Sequence, residues 1–129
     1  MRRERVNNMN ILAIDYGAKR IGLAWVNTDI GVVLPFGQII NPELITLIQR
    51  EGIDKIVVGL PLGLNGKENK GTERVRGFVE DLKKYIAVSI EFIDERFSSA
   101  EADRMEGGGA SRDEKAAMII LQTYLDRKK

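Results

Sequence analysis

Four carboxylates stand where an α/β chain gathers its ligands. Asp15 closes the apolar run Ile11-Leu12-Ala13-Ile14, Asp94 and Glu95 follow the apolar stretch from Val88 to Ile93, and Asp113 opens a strongly apolar last helix. A carboxylate beside a dry strand is costly unless something pairs with it. Several acids at one sheet edge repel one another unless a cation or protons intervene. The chain has no histidine and no cysteine. That excludes serine triads, imidazole bases, histidine-bound zinc, thiolate chemistry and disulfides. Hydrolysis by this chain must use carboxylates, lysines, tyrosines, hydroxyls or a metal held by oxygen.

Each acid alone has an ordinary use. Asp15 can cap a turn, Asp94 and Glu95 can pair with Arg96 or face water, and Asp113 suits a helix N-terminus electrostatically. Their joint placement is what points to a cation site. Strands one and five, with one strand between them, would hold Asp15 and Glu95 roughly 10 Å apart. Inward-reaching side chains could hold one or two ions across that gap, with oxygen–metal bonds of about 2.0–2.1 Å for magnesium. The bases are equally double-edged. Lys67, Lys70, Arg74 and Arg76 outnumber Glu68 and Glu73 after Pro61, and with Lys19 and Arg20 they could form a phosphate-contacting surface. A solvated helix face would use the same residues. Aromatics make up only 6% of the chain, which does not suggest a base-stacking platform.

The elements that must position these residues follow from the apolar pattern. Ile11–Tyr16 reads as the first strand and Ile21–Val26 as the second, joined by the turn Gly17-Ala18-Lys19-Arg20. Gly31–Ile40 carries a third strand (Val32, Val33, Leu34, then Gln38-Ile39-Ile40), with Pro35 marking an edge or a bulge. Asn41-Pro42 reads as a helix start, Asn as the cap and Pro in the first turn. Leu44, Ile45, Leu47 and Ile48 fill one face of the short helix that follows, ending near Gly52. Ile56-Val57-Val58 is a buried strand. Val75, Phe78, Val79 and Leu82 have the spacing of an amphipathic helix. Val88–Ile93 is the fifth strand. Ser98-x-x-Glu101 and Ser111-x-x-Glu114 are capping boxes that each open a helix, the second running to Leu125, with Gly107-Gly108-Gly109 between them.

The order βββαβαβαα predicts an antiparallel meander followed by two right-handed crossovers. The result is a five-stranded mixed sheet with helices on both faces. Strands one, four and five would then be parallel, and Asp15, Gly59-Leu60-Pro61 and Asp94-Glu95 would meet at their C-terminal edge, where open α/β sheets bind ligands.

Bulk properties agree with one domain. The chain has 129 residues, 43% hydrophobic and 30% charged, with 20 basic and 19 acidic residues and a net charge of +1. Residues 1–8 read as a tail and 9–129 as a single domain. No apolar run approaches the ~18 residues of a membrane span, and MRRERVNNMN lacks the apolar core of a secretion signal. A cytoplasmic protein with no membrane partner is expected.

Five motifs in order resemble the YqgF/RuvX family: Asp15-Tyr16-Gly17, Arg20-Ile21-Gly22-Leu23-Ala24, Val57-Val58-Gly59-Leu60-Pro61, Asp94-Glu95-Arg96-Phe97-Ser98, and Asp113-x-x-Ala116-Ala117 through Leu121-Gln122-x-Tyr124-Leu125-Asp126. The resemblance runs from Met9 to the end of the chain. Members are described as Holliday-junction resolvases or pre-16S rRNA nucleases with an RNase H-like fold. The resemblance implies that Asp15, Glu95 and Asp113 are the catalytic acids and ligands of Mg²⁺ or Mn²⁺ in two-metal hydrolysis. It also implies Lys19, Arg20, Arg74, Arg76 and Arg96 as phosphate contacts, with Lys67 and Lys70 on the same basic surface. Structured RNA, including a ribosomal precursor, or branched DNA is the partner it implies. A monomer or a homodimer is expected, the homodimer suiting junction cleavage, since two symmetric cuts need two sites. The chain departs from the family in MEGGGASRDEK, where a longer and strongly basic loop is usual. That departure is the feature in favour of a non-catalytic RNA- or ribosome-binding factor. A third class, an actin-like nucleotide-binding module, shares the Asp-x-Gly pattern but needs two such domains.

Overall fold

The computed structural model describes residues 8–17, 19–94 and 111–127. Its strands are β1 (Asn10–Tyr16), β2 (Ile21–Asn27), β3 (Leu34–Ile39), β4 (Lys55–Leu60) and β5 (Ser89–Asp94). The helices are α1 (Leu44–Arg50), α2 (Lys70–Lys83) and α3 (Arg112–Arg127), with a 3₁₀ turn at Asn41–Glu43 before α1. The strands form one sheet in the order β3-β2-β1-β4-β5. β1 pairs antiparallel with β2 and β2 with β3, while β4 runs parallel to both β1 and β5. This is the mixed sheet that the element order predicts. The helix expected from Ser98 lies outside the described residues.

Side chains alternate across a strand, and here both faces are apolar. Leu12, Ile14, Leu23, Ile56 and Val58 face a core shared with α1 and α2. Ile11, Ala13, Ala24, Val57 and Ile93 face Ala117, Ile120, Leu121 and Tyr124 of α3. Burying Ile120 or Leu121 contributes about 1.5–3 kcal/mol each. The residues under α3 are small where the strands pair: Ala13 stands opposite Ala24, and Asp15 opposite Gly22. A helix can therefore lie close to β1 and β2, the strands on which α3 chiefly packs.

Three expectations are corrected. The third strand starts at Leu34, because residues 31–33 lie outside the ladder and Val32 is exposed. Asn41 does not cap. It is the first residue of the 3₁₀ turn, and the N–H of Ile40 before it donates to Glu43 Oε1 at 3.3 Å. The last helix continues past Leu125 to Arg127. Pro35 sits on an edge strand and beside a bulge as well: Leu23 faces Gly37 but Ala24 faces Pro35, so Phe36 is the extra residue.

A polar device missing from the sequence reading fixes α2. Asn69 caps the helix, its Oδ1 accepting from the Thr72 N–H at 3.1 Å, while Thr72 Oγ1 accepts from the Asn69 N–H at 3.0 Å. The Thr72 hydroxyl is fully buried and donates to the Pro61 carbonyl, tying α2 to the end of β4.

Gly77 lies inside α2, and a Cβ there would meet nothing within 4 Å. Gly77→Ala is expected to stabilise the protein by about 0.5–1 kcal/mol through helix propensity alone. Urea unfolding would show this as a higher midpoint at unchanged slope.

Candidate active site

The strand period decides which acids can meet. Tyr16 stacks on Phe78 of α2 at 4.2 Å between ring centroids, so even-numbered residues of β1 face α1 and α2. Asp15 therefore lies on the α3 face with Ile11 and Ala13. In β5, Ile93 packs on the α3 side while Ile90 and Phe92 pack on the other. Asp94 shares the parity of Phe92 and faces away from Asp15. Glu95 and Arg96 lie outside the described residues.

Asp113 reaches the same place from α3. Gly22, the partner of Asp15 in the ladder, is buried. A Cβ built on it would stand 2.3 Å from the Asp113 carbonyl oxygen and 2.7 Å from its Cβ. The first turn of α3 thus rests on the backbone of Gly22, and Asp113 stands over the residue paired with Asp15. Both acids are half-buried. The described residues hold no group of three carboxylates, histidines or cysteines that could bind a metal. They bring together two of the three predicted acids, on one face at the C-terminal edge of β1.

The start of α3 is held by the second capping box. Ser111 Oγ accepts from the Glu114 N–H at 3.1 Å, and Glu114 Oε1 accepts from the Ser111 N–H at 2.9 Å. Glu114 Oε2 also accepts from the Gly37 N–H of β3 at 2.7 Å. Burial pushes the Glu114 carboxyl up, but hydrogen bonds from the Ser111 N–H, the Gly37 N–H and the Ser111 hydroxyl outweigh it and hold the group below its ordinary value.

The predicted bases divide into two sets. Lys19 and Arg20 are exposed on the β1–β2 turn, next to Asp15 along the chain. Arg20 Nη1 donates to Gln38 Oε1 at 3.3 Å, and Gln38 is the ladder partner of Gly22. Lys67, Lys70, Arg74 and Arg76 belong to the loop after β4 and to α2, and all are exposed. Arg76 donates to Glu68 through Nε at 3.0 Å and Nη2 at 2.6 Å, and its guanidinium lies 5.3 Å from the centre of the Phe92 ring. The bond from Arg76 holds the Glu68 carboxyl below its usual value and raises Arg76 in turn. Arg74 lines a groove with Tyr16, Pro42, Ile45 and Phe78 on the face opposite Asp15. Gly22, Gln38 and the Gly37 contact of Glu114 were missed in the sequence reading. Only Gly22 carried a local signal, since an isolated glycine inside a strand marks close backbone approach.

Residues 9–127 match the RuvX family, described as Holliday junction resolvase. The chain is 37% identical over 134 residues to "Putative pre-16S rRNA nuclease" of Maridesulfovibrio salexigens, across 92% of this chain and 99% of that one. A protein of the same name from Sulfurihydrogenibium sp. is 42% identical over 131 residues, 91% of this chain and 90% of the relative. In structure the chain is similar to T. thermophilus RuvC, solved in complex with a Holliday junction substrate. The TM-score is 0.61, over 93% of this chain and 96% of RuvC, at 13% identity. That likeness shows the fold, which is RNase H-like.

Gly22→Ala is expected to cost about 1–3 kcal/mol, because the new methyl group meets helix backbone that cannot rotate aside. A urea midpoint well below wild type would bear this out. An unchanged midpoint would mean that α3 is not seated on Gly22.

Proposed function

The chain belongs to the RuvX family, and from that premise we propose that it is a metal-dependent endonuclease acting on structured nucleic acid. The observation that carries the reading is the seating of Asp113 on Gly22, beside Asp15. Two carboxylates on one face at a sheet edge, in a chain without histidine or cysteine, form an oxygen donor set that suits magnesium or manganese. Glu95 is the third acid in this reading. The two-residue period of β5 puts Asp94 on the face away from Asp15.

Asp15, Glu95 and Asp113 would hold magnesium or manganese, and a pair of such ions would supply activation of a water and charge stabilisation for the leaving oxygen. The chain's own residues do the rest. Lys19 and Arg20, on the turn that follows Asp15, bring positive charge to the phosphate, and Gln38 pre-orients the Arg20 guanidinium. Lys67, in the loop before α2, and Lys70 and Arg74, on α2, extend the backbone-contacting surface, and Arg96 is counted with them. Arg76 is the weakest contact of the set, because Glu68 already takes two of its N–H groups.

The relatives named for pre-16S rRNA favour RNA as the substrate over branched DNA, and we take trimming of a 16S rRNA precursor as the reaction. The test titrates Mg²⁺ and Mn²⁺ against a 5′-extended 16S precursor and a four-way DNA junction, with Asp15→Asn and Asp113→Asn beside wild type. Metal-dependent cleavage of the RNA is expected. Each variant should lose on the order of 10²-fold or more in kcat, the scale set by removing one group that stabilises transition-state charge. Junction cleavage without RNA cleavage would reassign the substrate. No cleavage by folded wild type would make the chain a binding factor.

A further inference from the structure

The Glu114 carboxylate does more than close a capping box, and the second bond it makes is the informative one. A box needs only the Ser111 N–H and the Ser111 hydroxyl. Glu114 Oε2 reaches past both to the Gly37 N–H, 77 residues away in sequence, at 2.7 Å. That N–H is supplied by the β3 bulge. The extra residue Phe36 shifts the register between Leu23 and Ala24. Gly37 itself takes φ +101°, a conformation that favours glycine. Its N–H goes to the helix, and the edge strand thereby gains a bond to α3.

We infer that Glu114 is a positioning residue that fixes Asp113 over Asp15 by tying the first turn of α3 to the bulge of β3. The inference rests on the proposed role of Asp15 and Asp113 as metal ligands. Along the rest of its length α3 packs on the sheet through Ala117, Ile120, Leu121 and Tyr124, with Lys55 of β4 over the Tyr124 ring. The apolar contacts hold the helix against the sheet but are non-directional. A charged hydrogen bond is directional and short, and this one lies one residue from Asp113. A displacement of about 1 Å in a reacting constellation can cost on the order of 10²-fold in rate.

The test compares Glu114→Ala and Glu114→Gln with Ser111→Ala, which loses the hydroxyl cap but leaves the Gly37 bond. Three readouts are taken: kcat and KM on the precursor RNA, Mn²⁺ affinity by calorimetry, and the amide shifts of Gly22, Gly37 and Asp113. Glu114→Ala should lower kcat about 10- to 100-fold with KM unchanged and weaken Mn²⁺ to a similar degree, as loss of a ligand-orienting partner does. Glu114→Gln, which keeps one acceptor oxygen, should fall between that variant and wild type. Ser111→Ala should lose stability with kcat and Mn²⁺ affinity within about twofold of wild type, well inside the 10-fold lower bound for an orienting partner. The inference is overturned if Glu114→Ala matches Ser111→Ala in kcat and Mn²⁺ affinity. If wild type neither cuts nor binds Mn²⁺, the nuclease reading fails and the amide shifts decide alone. Gly22 and Asp113 shifts that move in Glu114→Ala but not in Ser111→Ala uphold the positioning role, and shifts that stay fixed overturn it.

Discussion

The architecture depends on one close approach, the backbone of α3 resting on the backbone of Gly22. A side chain at residue 22 would lift the helix at its start, and with it Asp113, the acid that stands beside Asp15. The neighbouring positions follow the same rule. Ala13 and Ala24 form the next ladder pair on that face, and Ala116 and Ala117 are the buried residues of the helix's second turn. Small residues on both sides bring a helix and a sheet within backbone range at one end. Larger residues, Ile120, Leu121 and Tyr124, fill the wider space toward the other end. Close approach at the N-terminus and bulk beyond it together aim the first turn of α3 at the end of β1.

Polar groups are placed to support that aim, and their order along the edge is consistent. At β3, the bulge turns the Gly37 N–H toward Glu114. At β2, Gly22 yields its space to Asp113. At β1, Asp15 presents a carboxylate on the same face. At β4, the Pro61 carbonyl is taken by the buried Thr72 hydroxyl, so the loop after β4 leaves in a fixed direction. An orphaned carbonyl at that point would cost roughly 1–3 kcal/mol. At these four strands the backbone and side-chain polar groups are thereby either turned toward α3 or tied to a neighbouring element.

The fold was legible in the sequence because periodicity sets it. The doubly apolar runs of β1 and β4 and the i, i+3, i+4, i+7 stripe of α2 leave little choice of element, and βββαβαβ leaves little choice of topology. Errors gathered where local chemistry competes. Val32 and Val33 have strong β character but follow a turn and find no ladder, and Asn41 looks like a cap while Ile40 fills that place. At the site, Asp15 and Asp113 could be named from strand ends and helix starts. Their shared face could be inferred only by counting parity through the ladder. The Glu114–Gly37 bond could not be read at all, since it depends on the register of a bulge. Nor could the pairing of Arg76, two of whose N–H groups go to Glu68, eight residues earlier.

The two sets of bases differ in the same physical sense. Glu68 closes on Arg76 through two N–H groups, an exposed pair of the kind that adds little to stability but removes a charge from the surface. Arg20 is held instead by Gln38, a neutral amide that accepts one N–H and leaves the full positive charge in place. Gln38 belongs to the ladder row that contains Gly22, whose other partner is Asp15. Orientation of a cation without its neutralisation is what a phosphate contact beside a carboxylate site requires. A counter-charge there would cancel the attraction, and a free side chain would spend rotamer entropy at each encounter. The short hairpin that carries Arg20 is therefore a better candidate for the cleaved phosphate's contact than the more numerous bases of α2.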